Sequence, residues 1–475
     1  MIDYTRMMEE EFDFESPEER KTSVDRYEEM IRNEDQYFFD SKAFEGIIDY
    51  YIEKNDPIKA LQVADYAINQ HPFDVTFLLK QAQLYSATQQ FERALNALSK
   101  AELLEPSEGD IFFIRGGVYG AKGQFKEAKE QLFQALSLSD NKDEIYFHIS
   151  VVYQGEADFE KAIYYLKKTL ELNMDNQEAL YELAYCYDIL DRQEESVEFY
   201  KKYIDSEPYS YYAWYNLGNA YHKLSKYPEA IDAYDYAILI KENFSSAYFN
   251  KGNALVNLDR YQEALEVYKQ TFEYEKPSAD TYCAIGECLE KLEQMEEARI
   301  FYKKAVKMDG DLADAWFGIG VTLDFEERHF ESLHFYKKAL ELDDSNPDYW
   351  FAIADARYKL KQIDLAEEAY AKVVELNPLD VDAWLDYSSI FFEQDKVDEA
   401  IEIVSEAITN NPEAAELYFR MVAYLFANGK YNDAIVFLEL GLATDPEKHY
   451  ILFDYLPQLQ GNHIISEIIK KYSPK

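Results

Sequence analysis

One spacing organises the hydrophobic and polar positions of this chain. Large apolar residues, small residues and short polar turns recur every 34 positions, with unit starts at 41, 75, 109, 143, 177, 211, 245, 279, 313, 347, 381 and 415. Twelve such units tile residues 41–448 without insertion or deletion. The tryptophans alone reveal the register: Trp214, Trp316, Trp350 and Trp384 are separated by 102, 34 and 34 residues. Position 4 of every unit is large and apolar, as in Phe44, Trp214 and Tyr418. Position 8 is small in ten of twelve units, Ile48 and Val422 departing in the end units, and position 20 is Ala except at Ser196 and Ser332. Positions 4, 7, 8 and 11 form one stripe at helical spacing, and 20, 24 and 27 form another. Each unit therefore predicts two helices joined by a polar turn such as 224–228. Small residues at 8 and 20 let the two backbones approach, while large residues at 4 and 24 fill around that contact. Proline at position 32 in six units, from Pro72 to Pro446, stops the second helix. The expected fold is all-α, a solenoid of antiparallel helix pairs.

The stretch Ala213-Trp214-Tyr215-Asn216-Leu217-Gly218-Asn219-Ala220-Tyr221, followed by Ala230, Tyr234 and Ala237, resembles the tetratricopeptide repeat (TPR) family. The resemblance extends over residues 41–448 in one register. It implies a right-handed superhelix whose first helices line a concave groove, and a scaffold or adaptor that binds protein. Outside the array, residues 1–40 carry 14 acidic and 5 basic side chains. Residues 1–21 predict a disordered acidic tail, and 22–40 a capping helix that covers one end of the solenoid. Residues 449–475 read as a degenerate final helical pair, a second cap, ending on Lys470, Lys471 and Lys475 as suits a helix C-terminus.

Charge and chemistry narrow the function. The chain has 48 Lys+Arg against 92 Asp+Glu, a net charge of −44, which repels nucleic-acid phosphate and anionic membrane. No run of 18 apolar residues occurs, and the N-terminus lacks the basic and apolar regions of a secretory signal. Three cysteines cannot frame a disulfide scaffold and suit a reducing compartment, so a cytoplasmic location is expected. No H-E-x-x-H, Walker, G-x-G-x-x-G or G-x-S-x-G motif is present, and the seven histidines are scattered. Cys186 and Cys288 occupy position 10, a small core position, and Cys283 lacks a basic neighbour that would activate it. The 27 residues after the last unit are too few for an appended catalytic module. The expectation is a protein that is not an enzyme and uses no cofactor or metal.

The resemblance puts positions 2, 5, 9, 12 and 13 on the concave face. Position 5 carries rings where a solvated position would be polar: Phe113, Phe147, Tyr181, Tyr215, Phe249, Phe317 and Phe351. Such a row marks a binding surface, unless each ring is covered by the adjacent first helix. Position 9 adds Tyr185, Asn219, Asn253 and Glu287. Asparagine offers donor and acceptor to a peptide backbone, and these two resemble the peptide-holding asparagines of other TPR grooves, where asparagine is also simply common. Position 2 is acidic in eight units. A first-turn carboxylate suits the helix dipole, worth roughly 0.3–1 kcal/mol each, and beside the rings it favours a basic and apolar partner. The cations of a carboxylate clamp are missing. The function expected is a scaffold binding a protein or peptide segment in the groove, best supported over 177–278. The alternative is a structural subunit that self-associates or docks in a larger complex through its outer face.

Overall fold

The computed structural model describes residues 17–472, which form 27 α-helices, two short 3-10 turns and no strand. The chain divides into two compact bodies, Met1–Glu242 and Asn243–Lys475. Every unit of the repeat is a helix pair. In the third unit these are α6 (Gly109–Ala121) and α7 (Phe125–Leu138), and in the ninth α18 (Ala313–Phe325) and α19 (His329–Leu342). Within each body, successive first helices touch one another: α6 meets α8 (Lys142–Gly155), and α18 meets α20 (Pro347–Lys359). Among the twelve units no pair of second helices makes comparable contact. The first helices are therefore the closer-packed, inner row of each body.

The small residue at position 8 does what its size suggests. A Cβ on Gly218, Gly252, Gly286 or Gly320 would lie 2.5, 2.4, 2.8 and 2.4 Å from the rings of Tyr234, Tyr268, Tyr302 and Tyr336. Those tyrosines, at position 24, are almost wholly buried. Position 4 has a second duty beyond filling space. The indole Nε1 of Trp214, Trp316, Trp350 and Trp384 donates to the position-32 carbonyl of the preceding unit, at 2.8–2.9 Å. Tyr418 reaches the corresponding carbonyl of Pro412 with its hydroxyl, at 3.0 Å. A large ring with a polar edge thus fills the seam and ties down the turn between units.

The turn inside each unit has a fixed conformation. Position 15 is left-handed in all twelve units, with φ between 53° and 73° from Asn55 to Gly429. After α8, Ala157 N donates to Gln154 O at 2.8 Å and Asp158 N to Tyr153 O at 2.9 Å. This is the Schellman pairing, in which a left-handed residue lets two amides satisfy the last helical carbonyls. Side-chain caps start seven of the twelve first helices, as when Ser210 accepts from Ala213 N and Asp380 from Ala383 N.

The ends are covered. Where a leading helix over 22–40 is expected, α1 spans Pro17–Asn33, and 35–40 is extended chain. Pro17 is pre-set for a first helical position, and left-handed Glu34 (φ 55°) ends the helix. Val24, Tyr27 and Met30 bury themselves on the first unit. The amide of Gln70 then grips the extended segment, Nε2 donating to Tyr37 O (2.8 Å) and Oε1 accepting from Phe39 N (3.1 Å). Most of the expected disordered tail, residues 1–16, lies outside the described residues. At the other end α26 (Tyr450–Tyr455), α27 (His463–Tyr472) and the turn between them add Leu452, Leu456, Leu459 and Ile465 to the last core cluster.

A left-handed alanine costs roughly 1–2 kcal/mol that glycine does not incur. Ala157→Gly, exposed and at φ 60°, is therefore expected to stabilise the first body by about 1 kcal/mol after glycine's extra chain entropy. The urea midpoint of wild type and variant checks this.

Candidate functional site

The first-helix row is the candidate interaction surface, and its rings are not uniformly exposed. On α10 (Gln177–Ile189) Tyr181 is 61% exposed, Tyr185 46% and Ile189 49%. Spaced four residues apart, they form one apolar stripe along the helix. At the same position Phe113, Phe147, Tyr215, Phe249, Phe317 and Phe351 are half-buried. Phe113 meets His148 of the next first helix edge-on (4.7 Å between centroids), and Phe317 lies 4.8 Å from Tyr349 of the next. Tyr215, Phe249 and Phe351 lean on the position-24 tyrosines of their own units, Tyr234, Tyr268 and Tyr370, at 5.5–6.0 Å. Leu385 and Phe419 are buried outright. At the place where Phe113 meets His148, the next first helix offers Tyr181 no ring but Asn216. Asn216 turns inward to Leu180 O (3.1 Å) and Tyr200 Oη (3.3 Å).

The asparagines are half-buried and already engaged from below. Tyr234 Oη donates to Asn219 Oδ1 at 2.9 Å, and Tyr268 Oη to Asn253 Oδ1 at 2.6 Å. Gly117, at position 9 on α6, has nothing within 4 Å of where a Cβ would stand, so α6 is bare there. Ile189, Gly117 and the two tyrosine hydroxyls escaped the sequence reading. Ile189 falls at position 13, which the resemblance had put on the concave face. The tyrosines carried no signal beyond the size of their rings.

Acids surround the row in the second body. Glu287 is exposed but hemmed in enough that burial pushes its carboxyl above the usual range, and Glu290, pushed the same way, accepts from Tyr302 Oη at 2.8 Å. The Cys283 thiol is pushed up to about 12 by burial and by Asp314, Glu287 and Asp280, so it stays protonated and inert. Position-2 acids are engaged as well: Asp314 accepts from Tyr349 Oη of the next unit at 2.5 Å, and Glu416 pairs with Lys448 at the end of its own unit. Where cations enter the inner seams of the first body they are paired: Lys80 with Asp49 at 2.7 Å, Arg115 with Glu102 at 2.6 Å. Among the described residues no cluster of His, Cys, Asp or Glu could hold a metal ion, and no helix is long and apolar enough to cross a membrane.

Tetratricopeptide-repeat family models match residues 79–141, 177–209, 211–244, 237–311, 313–346, 351–415 and 391–452, together well over half of the chain. Solved structures similar to this chain include YrrB, the Cut9–Hcn1 complex and MamA. YrrB, a TPR protein with an unusual peptide-binding site, has 22% identity and a TM-score of 0.33, covering 39% of this chain and 96% of that one. The Cut9–Hcn1 hetero-tetramer of the APC/C has 14% identity and a TM-score of 0.44, covering 88% of this chain and 93% of that one. MamA has 18% identity and a TM-score of 0.32, covering 34% of this chain and 95% of that one. No curated protein matches the chain.

His148 supplies a pH test of the row's packing. Held edge-on between Phe113 and Phe147, its imidazole is desolvated and its pKa falls to about 4, against an ordinary value of 6.5. The unfolded chain therefore takes up this proton first as pH falls, and the stability that neutral His148 contributes is lost between about 6.5 and about 4. The buried carboxyls act in the opposite sense. Denaturation of wild type beside His148→Phe isolates the term: wild type should lose more stability over that interval than the variant does.

Proposed function

We propose that this chain, which belongs to the tetratricopeptide-repeat family, is a non-catalytic scaffold holding a protein or peptide segment against its inner, first-helix face. The observation that carries the reading is the stripe on α10. Tyr181, Tyr185 and Ile189 are large, apolar and exposed on the face where packing would hide them, and exposed aromatics of this kind anchor interfaces. Phe113, Phe147 and Tyr215 extend the surface within the first body. Phe249, Asn253, Glu287, Phe317 and Phe351 form the corresponding row of the second. Glu178, Glu182 and Asp188 share α10 with the stripe, and the whole chain carries −44. The fitting partner therefore has apolar anchors flanked by Lys or Arg. The three free cysteines suit a reducing compartment such as the cytoplasm.

A second reading has its own support. Tyr164 on α9 (Phe159–Leu172), Ile300 on α17 (Met295–Met308) and Val436 on α25 (Tyr431–Thr444) are 55–56% exposed on second helices. A structural subunit that docks or self-associates through its outer face would use them.

Peptides selected from a random display library on the full chain provide the probe. Tyr181→Ala with Tyr185→Ala should weaken their binding about thirtyfold, roughly 2 kcal/mol, the cost of losing interface aromatics. Thermal stability should hardly change, because both side chains already face solvent. Unchanged affinity in this variant, with loss on Tyr164→Ala instead, would transfer the function to the outer face.

A further inference from the structure

Tyr268 does more than fill the core. Its ring is 1% exposed and pressed against α14 (Ser245–Val256), where a Cβ on Gly252 would come within 2.4 Å of it. From that fixed place its hydroxyl reaches Asn253, the residue after the glycine, with Oη 2.6 Å from Oδ1. A buried phenol proton needs an acceptor, and Asn253 Oδ1 is the one that receives it. With the amide turned over, Nδ2 would point its own protons at the phenol and the phenol proton would lose its acceptor. The amide is therefore held with its carbonyl toward Tyr268 and its Nδ2 directed away. Among the described residues Nδ2 donates to none.

The geometry repeats one unit earlier in the chain. Gly218 admits the ring of Tyr234, whose hydroxyl donates to Asn219 Oδ1 at 2.9 Å. Where position 9 is not asparagine, the same tyrosine finds another acceptor: Tyr302 turns to Glu290 and Tyr200 to Leu180 O. The pairing thus accompanies asparagine rather than tyrosine alone.

We infer that Tyr268 is a positioning residue that fixes the Asn253 amide with its Nδ2 presented to the first-helix face, so that this point donates to a carbonyl oxygen of the bound chain. The inference rests on the proposal that a segment lies on that face, and it adds what the asparagine recognises. Glycine at position 8, tyrosine at 24 and asparagine at 9 then act as one device. The glycine admits the ring, the ring carries the hydroxyl, and the hydroxyl fixes the amide.

The test uses the full chain and library-selected peptides that photo-crosslink to α14, with affinities measured at 0.5 M salt, roughly, to screen charge. Asn253→Asp keeps the shape and the acceptor for Tyr268 but removes the donor. It should weaken binding about fivefold, as much as Asn253→Ala does. Tyr268→Phe should also weaken binding, yet add nothing when Asn253 is already Ala, because its effect runs through the amide. Asn253→Asp binding as tightly as wild type would overturn the assignment of Nδ2 as the donor while leaving the groove reading intact. A Tyr268→Phe loss that simply adds to that of Asn253→Ala would reduce Tyr268 to a packing role and overturn the inference. So would the absence of any selected peptide that crosslinks to α14. The groove reading itself stands or falls separately, on the Tyr181 and Tyr185 variant.

Discussion

The close approach of a tyrosine ring to a helix backbone with no Cβ in the way is the contact on which the array depends. It sets the distance between the two helices of a unit and, at one point, between units. The ring of Tyr302 lies where a Cβ on Gly286 of its own unit would come within 2.8 Å, and one on Gly318 of the next unit within 2.3 Å. One buried ring thus meets both first helices, and added atoms on either side would force the packing apart. The same depth carries the hydroxyl of Tyr234, Tyr268 or Tyr302 through to the inner face. There it meets Asn219, Asn253 or Glu290, so the packing residue also shapes the surface that faces a partner.

A solenoid of this kind leaves some side chains of its first helices without a packing task, because each unit touches only its neighbours. Where the next first helix supplies a ring, as His148 does for Phe113 and Tyr349 for Phe317, position 5 is covered. Where it supplies Asn216, which folds inward, Tyr181 remains available. The surface proposed for binding is thus what the packing leaves over, and its most exposed part falls on α10.

The helix pairs, the seams at positions 8 and 20 and the buried cysteines at position 10 were legible in the sequence, since each is a local pattern repeated in one register. The left-handed turn was not. Ten of its twelve residues are not glycine, and Ala157, Glu327 and Lys361 share no chemistry that marks the conformation. Helix length and the Schellman hydrogen bonds impose it instead. The position-5 rings were visible as a row, but their exposure depends on residues one unit away. The partner of each asparagine lies 15 residues further on, at a position whose pattern records volume and not the reach of a hydroxyl. At the N-terminus, the shift from an expected helix over 22–40 to α1 and an extended strap reflects Gln70, whose amide satisfies backbone that a helix would otherwise pair internally.

The central claim is that partners lie against the first-helix face. Photo-crosslinking tests it most directly, with a photoreactive phenylalanine analogue at Tyr181 in one variant and at Tyr164 in another, each probed with the same selected peptides. The two side chains are similarly exposed, at 61% and 56%, but belong to a first and a second helix. The account predicts adducts at Tyr181 and few or none at Tyr164. Adducts confined to Tyr164 would contradict it and assign recognition to the outer face.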